Sequence, residues 1–76
     1  MQYKNENVGI VIRRERMERK LSQDVVSGLA NIARSHLSMI ETGGKKANLE
    51  TIWKIAFALD MKPSELVALI EKEENM

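Results

Sequence analysis

With 76 residues, 43% of them hydrophobic and 30% charged, the chain accommodates one small domain, and it carries neither an internal repeat nor a low-complexity linker. It has no cysteine, no apolar run near the roughly 20 residues of a membrane span, and an opening Met1-Gln2-Tyr3-Lys4-Asn5-Glu6-Asn7 too polar for a signal peptide, which excludes disulfides, thiolate metal sites and thiol nucleophiles and predicts a soluble, cytoplasmic protein. A chain this short buries only about 60% of its unfolded surface, so efficient helix packing or a second subunit is needed to stabilise it; its net charge is +1.

Hydrophobic periodicity predicts five helices and no strand. After a flexible tail over residues 1–7, the first helix is expected from Val8 to Lys20, with Val8, Ile12, Met17 and Leu21 facing inward, Ile10 and Val11 flanking them, and Arg13, Arg16 and Lys20 on the other side. Ser22 offers its hydroxyl as the cap of a second helix that begins at Gln23, and Asp24 places negative charge on the positive end of that helix. Asn31 tolerates the left-handed conformation that turns the chain into a third helix, from about Ala33 to Thr42. Steps of about 100° put Ala33, Leu37 and Ile40 on one face of this helix and Ser35, Ser38, Met39 and Thr42 on the other. Gly43-Gly44 ends it, and Asn48 caps a fourth helix, Leu49 to Leu59, with Leu49, Ile52, Ile55, Ala56 and Leu59 at core spacing. A fifth helix starts at Pro63, which suits a first helical position, and turns Leu66, Leu69 and Ile70 inward. The domain therefore spans residues 8–70, and Glu71-Lys72-Glu73-Glu74 leads into a frayed tail over 71–76.

The second and third helices form two short rods around a tight turn, a helix-turn-helix, which is a device for reading DNA. Residues 1–22 set Lys4, Arg13, Arg14, Arg16, Arg19 and Lys20 against Glu6, Glu15 and Glu18, whereas residues 65–76 set Glu65, Glu71, Glu73 and Glu74 against Lys72. Such asymmetry suits docking on phosphates by one end, and equally a solvated charged helix face.

Leu21-Ser22-Gln23, Ile32, Leu37-Ser38, Ile40-Glu41, Gly43, Leu49-Glu50-Thr51 and Lys54-Ile55-Ala56-x-Ala58-Leu59 together resemble the phage repressor/Cro-type (Xre) helix-turn-helix family. The resemblance covers roughly residues 9–70 and includes polar positions that a generic amphipathic helix does not require. It implies an all-α, compact five-helix, repressor-like domain that binds double-stranded operator DNA as a homodimer and regulates transcription, restriction-modification controller proteins being among the family's members. Two positions depart from the family's habit: Ala33 stands where a capping Ser or Thr is usual, and Asn31 where glycine is usual.

The family pattern sets Gln23 against a phosphate and gives base readout to Ala33, Arg34, Ser35, Ser38 and Met39. Arg34 is the sharpest of these, because its guanidinium can donate two hydrogen bonds to O6 and N7 of guanine. Thr42, Lys45 and Lys46 are expected at phosphates, and Arg16 both at a phosphate edge and in an internal salt bridge with Glu41. His36 flanks the same helix, either touching a phosphate or simply exposed. In the fourth helix Trp53 and Phe57 form a second apolar stripe, so Trp53, Phe57, Met61, Val67 and Ile70 are expected to make the dimer interface, the alternative being that Trp53 and Phe57 pack under the fifth helix of the same chain.

An enzyme is not expected, nor any cofactor, metal, membrane association or small-molecule ligand. There is one histidine, and Gly43-Gly44 lacks the strand and lysine context of a phosphate loop. The rival to a regulator is an antitoxin or adaptor that uses the same fold for protein–protein interaction. As a regulator, the chain would be controlled by its own concentration, which suits autoregulated operons of phage, plasmid or restriction-modification origin.

Overall fold

A computed structural model describes residues 2–75. Met1 and Met76, the outermost residues of the tails expected at 1–7 and 71–76, lie outside the described residues. The order is α1 (Asn5–Glu18), α2 (Gln23–Ala30), α3 (Arg34–Glu41), α4 (Leu49–Ala58) and α5 (Pro63–Glu74), with no strand among the described residues. The core is one cluster in which Ile12, Leu37, Ile40, Ile55, Leu59 and Leu66 are the largest fully buried side chains. Each of the five helices contributes to it or packs on it, which is the layer logic of a helical domain.

Helix α1 starts at Asn5, three residues before the first core valine, because Glu6 places a negative charge in its first turn while the Lys4 carbonyl accepts from the Asn7 and Val8 amides. Its inward face is Val8, Val11, Ile12 and Glu15, the i, i+3, i+4, i+7 set. Two expectations for this helix are corrected. Val11 is fully buried rather than flanking, and Met17 is exposed, since nine steps of about 100° carry it to the side opposite Val8. Ile10 is likewise exposed.

Helices α1 to α4 all end in the same way, with a left-handed residue whose amide and that of its successor close back on the last turn: Lys20, Asn31, Gly43 and Asp60 have φ of 57°, 56°, 82° and 57°. At Gly43 the amide reaches the Ile40 carbonyl at 3.1 Å and the Gly44 amide reaches the Met39 carbonyl at 2.8 Å. The side chain of Asn48 caps α4 by accepting from the Thr51 amide at 2.8 Å. Pro63 opens α5, and Glu65 reaches back to accept from the Lys62 amide at 2.8 Å.

Leu49 is not a core residue: 66% of its surface is exposed. It is the first residue of α4, and side chains on a helix lean toward the N-terminus, so Leu49 projects past the edge of the core instead of into it. Helix α5 continues beyond Ile70 to Glu74, with Glu73 paired at 2.8 Å to Arg14 of α1.

Candidate nucleic-acid interface

Ser22 Oγ accepts from the Val25 amide at 3.1 Å and starts α2; Asn31, at φ 56° and ψ 46°, ends it. Ala33 takes the cap position of α3 in extended conformation with no side-chain bond to the helix. Leu37 and Ile40 are buried beneath α3, which turns Ser35 and Met39 to the exposed side, with Arg34 exposed as well, and leaves Ser38 half-buried; Ala33, expected on the face of Leu37 and Ile40, is exposed instead, because it stands before the helix as its extended cap. At the far end of the helix, Thr42 Oγ1 lies 3.2 Å from the carbonyls of Ser38 and Met39, and Lys45 and Lys46 are exposed in the loop beyond.

A residue that periodicity does not single out sets the seat of α3. A Cβ built on Gly9 would meet the Ile40 carbonyl oxygen and lie 2.6 Å from that of Glu41, so α1 can cross the end of α3 this closely only with glycine there. The same junction carries the main polar network. Arg16 Nε and Nη2 donate to Glu41 Oε2 and Oε1 at 2.7 and 2.9 Å, Arg16 Nη1 donates to the Leu21 carbonyl at 2.8 Å, and Gln23 Nε2 donates to Glu41 Oε1 at 3.1 Å. Side-chain exposure is 12% for Arg16 and 2% for Glu41. The hydrogen bonds to Glu41, with its charge, raise the Arg16 pKa above the usual arginine range against the opposing cost of burial. The structure thus gives Arg16 and Gln23 internal partners; with Arg13, Glu41 and Thr42 they line a shallow recess at the surface.

Charge separated along the chain is not separated in space. Arg14 bonds Glu73, so the basic first helix and the acidic last helix meet. Arg19 Nε donates to the Leu59 carbonyl at 2.8 Å and its Nη1 to the Glu15 carboxylate at 3.0 Å, tying α1 to the end of α4. The reading of one basic end and one distant acidic end is therefore corrected: α1 and α5 pack side by side, and three of the arginines counted there are spent on internal partners. On α3, Arg34 Nε lies 3.4 Å from Asp24 Oδ1 of α2, both side chains being largely exposed.

His36 is half-buried, and its Nε2 is enclosed without a hydrogen-bond partner among the described residues. Trp53 and Phe57 stand out from α4 with 59% and 72% of their surface exposed, so they do not pack beneath α5 of the same chain. Val67 is also exposed, whereas Met61 and Ile70 lean on the core. Leu49 joins Trp53 and Phe57 in a stripe at four-residue spacing. Among the described residues no group of three or more His, Asp or Glu side chains is placed to hold a metal, and no helix is long and apolar enough to cross a membrane.

Residues 12–66 match the helix-turn-helix family profile. The chain belongs to the helix-turn-helix family. This helix-turn-helix protein is similar to the restriction-modification controller protein C.AhdI from Aeromonas hydrophila, with 34% identity and a TM-score of 0.78 over 82% of this chain and 94% of that one. It shares its fold with the restriction-modification controller protein C.Esp1396I, at 20% identity and a TM-score of 0.88 over the whole of each chain. The fold is also that of the C.Esp1396I tetramer in complex with its natural 35 base-pair operator, at 20% identity and a TM-score of 0.85 over 96% of each chain. No match was found among curated protein sequences.

Proposed function

We propose that this helix-turn-helix protein is a sequence-specific DNA-binding transcriptional regulator that acts as a homodimer on a near-palindromic operator and controls its own synthesis. The observation that carries this reading is the outer face of α3, where Arg34, Ser35 and Met39 are exposed above a buried Leu37 and Ile40. That face is what a helix needs to enter the major groove and touch base edges. Arg34 reads guanine, Ser35 and Ser38 bond to several bases, and Ala33 and Met39 meet thymine methyls. Gln23, Thr42, Lys45 and Lys46 lie along the phosphates on either side, and Arg16, whose Nε, Nη1 and Nη2 all have internal partners, borders them at the recess it lines with Gln23 and Thr42. The similarity to controller proteins, one of them bound to its operator as a tetramer, supports the same reading.

Two copies would join through Trp53, Phe57, Met61, Val67 and Ile70, extended by Leu49. A standard interface takes about 800 Å² from each partner, roughly a sixth of the 4925 Å² surface of this chain. With extents of 32 × 23 × 22 Å per protomer, a side-by-side pair accommodates two α3 helices about one DNA turn, roughly 34 Å, apart.

The test is a mobility shift with DNA from the promoter upstream of the chain's own reading frame, titrated in protein and in salt. Binding should weaken with a log–log slope near −0.9 for each phosphate contacted. Arg34→Ala should reduce the preference for that DNA over random duplex by about 1–3 kcal/mol while leaving the salt dependence in place. No preference in the wild-type protein would overturn the reading in favour of an antitoxin or adaptor.

A further inference from the structure

Asp24 and Arg34 sit on successive helices and meet across the turn, Oδ1 to Nε at 3.4 Å, although both side chains are free to extend into solvent, with 73% and 65% of their surface exposed. Asp24 is the one acidic group within 4 Å of Arg34 among the described residues. Its place in the first turn of α2 accounts for a negative charge there, since a carboxylate complements the helix dipole. The dipole does not account for its direction. Ser22 already caps α2, and a carboxylate serving the dipole alone has no reason to face the guanidinium of the next helix.

An acid beside a phosphate-facing surface also has a cost, because it repels DNA of any sequence. A long arginine side chain, in turn, bonds a phosphate as readily as a base, and it loses considerable rotamer freedom when it is held at one position. A carboxylate on the Nε edge answers both points. It leaves the two Nη groups, the fork that matches guanine O6 and N7, at the open end of the side chain, and it draws the guanidinium away from phosphates.

We infer that Asp24 is a positioning residue for base readout, holding Arg34 by its Nε edge so that the Nη groups are presented to a guanine. The inference rests on the DNA-reading role proposed above. Asp24 acts through Arg34 and lowers affinity for DNA in general while raising the preference for the right sequence.

The experiment uses the full chain and a duplex that the wild-type protein selects from a randomised pool, beside a scrambled duplex of the same composition. Asp24→Asn keeps shape and removes charge; Asp24→Glu keeps charge. In Asp24→Asn, binding to the scrambled duplex should strengthen, and the ratio of selected to scrambled affinity should fall about 1.4- to 5-fold, the range spanned by an exposed ion pair. Asp24→Glu should restore part of the ratio. In an Arg34→Ala background, Asp24→Asn should leave the ratio unchanged.

A ratio that Asp24→Asn does not alter, or lowers equally with and without Arg34, overturns the inference and leaves Asp24 as a partner of the α2 dipole, visible then only as a lowered melting temperature. A wild-type protein that selects no sequence overturns the DNA-reading role, and this inference with it, before any variant is made.

Discussion

Glu41 has almost no exposed side chain and accepts from Arg16 twice and from Gln23 once. Removing it leaves the Arg16 guanidinium enclosed without its counter-charge, so Glu41→Ala should cost about 3–5 kcal/mol, read as a lower urea midpoint at unchanged m-value. The raised pKa of Arg16 means that the pair's contribution is complete below the unfolded arginine value and is lost only as pH rises through the higher folded value. The Arg16–Glu41 coupling in a double-mutant cycle should therefore be the same at pH 7 and pH 10. Gly9→Ala should lower stability by roughly 1–3 kcal/mol, because the added methyl meets the carbonyls of Ile40 and Glu41, which are backbone and cannot rotate away. It should also weaken DNA binding beyond its effect on folding, since α3 must shift to admit it; equal affinity in the folded variant would show that the seat of α3 is not set there. The pairing of Arg16 with Glu41 was legible through family resemblance. Gly9 and Arg19 were not, because nothing local to a helix reports which backbone will cross it or which distant carbonyl will face it.

At the scale of the elements, the helix ends carry the clearest physics. Four helices end on a left-handed residue and only one of those residues is glycine. A lysine in that conformation costs roughly 1–2 kcal/mol, partly offset by the greater unfolded-state freedom of glycine. Lys20→Gly should thus stabilise the domain by about 0.5–1 kcal/mol and raise the melting temperature by several degrees, measured by thermal circular dichroism. Gly43→Ala should act in the opposite sense, since a Cβ there is strained at φ 82° and lies 3.2 Å from Glu6 Cγ. The caps Ser22 and Asn48, the turn at Asn31 and the break at Gly43-Gly44 depend on the conformational preferences of single residues, which is why they could be read directly. The exposure of Leu49 and Met17 could not. Both are apolar, and whether they meet the core depends on where the core ends.

For the molecule as a whole, the stripe Leu49, Trp53 and Phe57 leaves a large apolar area on the outside of a small domain. Phe57→Glu places a charge in that stripe and should convert a dimer to a monomer in sedimentation equilibrium with little change in monomer stability, because Phe57 is mostly in water already. An unchanged dimer would remove Phe57 from the interface. If the dimer is lost, operator binding should become less steep in protein concentration. The packing around α1 also bears on electrostatics: Arg14 faces Glu73 of α5, Arg16 faces Glu41 of α3, and Arg19 faces Glu15 of α1 and the Leu59 carbonyl at the end of α4. The cations left for phosphates are then led by Lys45 and Lys46, so the salt slope should be smaller than the total of basic residues suggests.

Helix type, number and order follow from periodicity, capping residues and glycine, because each is a local free energy that a short window of residues contains. The helix-turn-helix was legible for the same reason, and the core was largely legible because burial follows the helical period. Other features were settled by the packed structure: that Val11 and Glu15 go inward while Met17 stays out, that Leu49 overhangs the core to extend an aromatic stripe, that α1 needs glycine where it crosses α3, and that Asp24 reaches Arg34. These depend on the distance and angle between separate elements, neighbours in the chain for Asp24 and Arg34 and distant ones for Gly9 and α3, a relation that no single segment encodes and that arises only when the helices share one core.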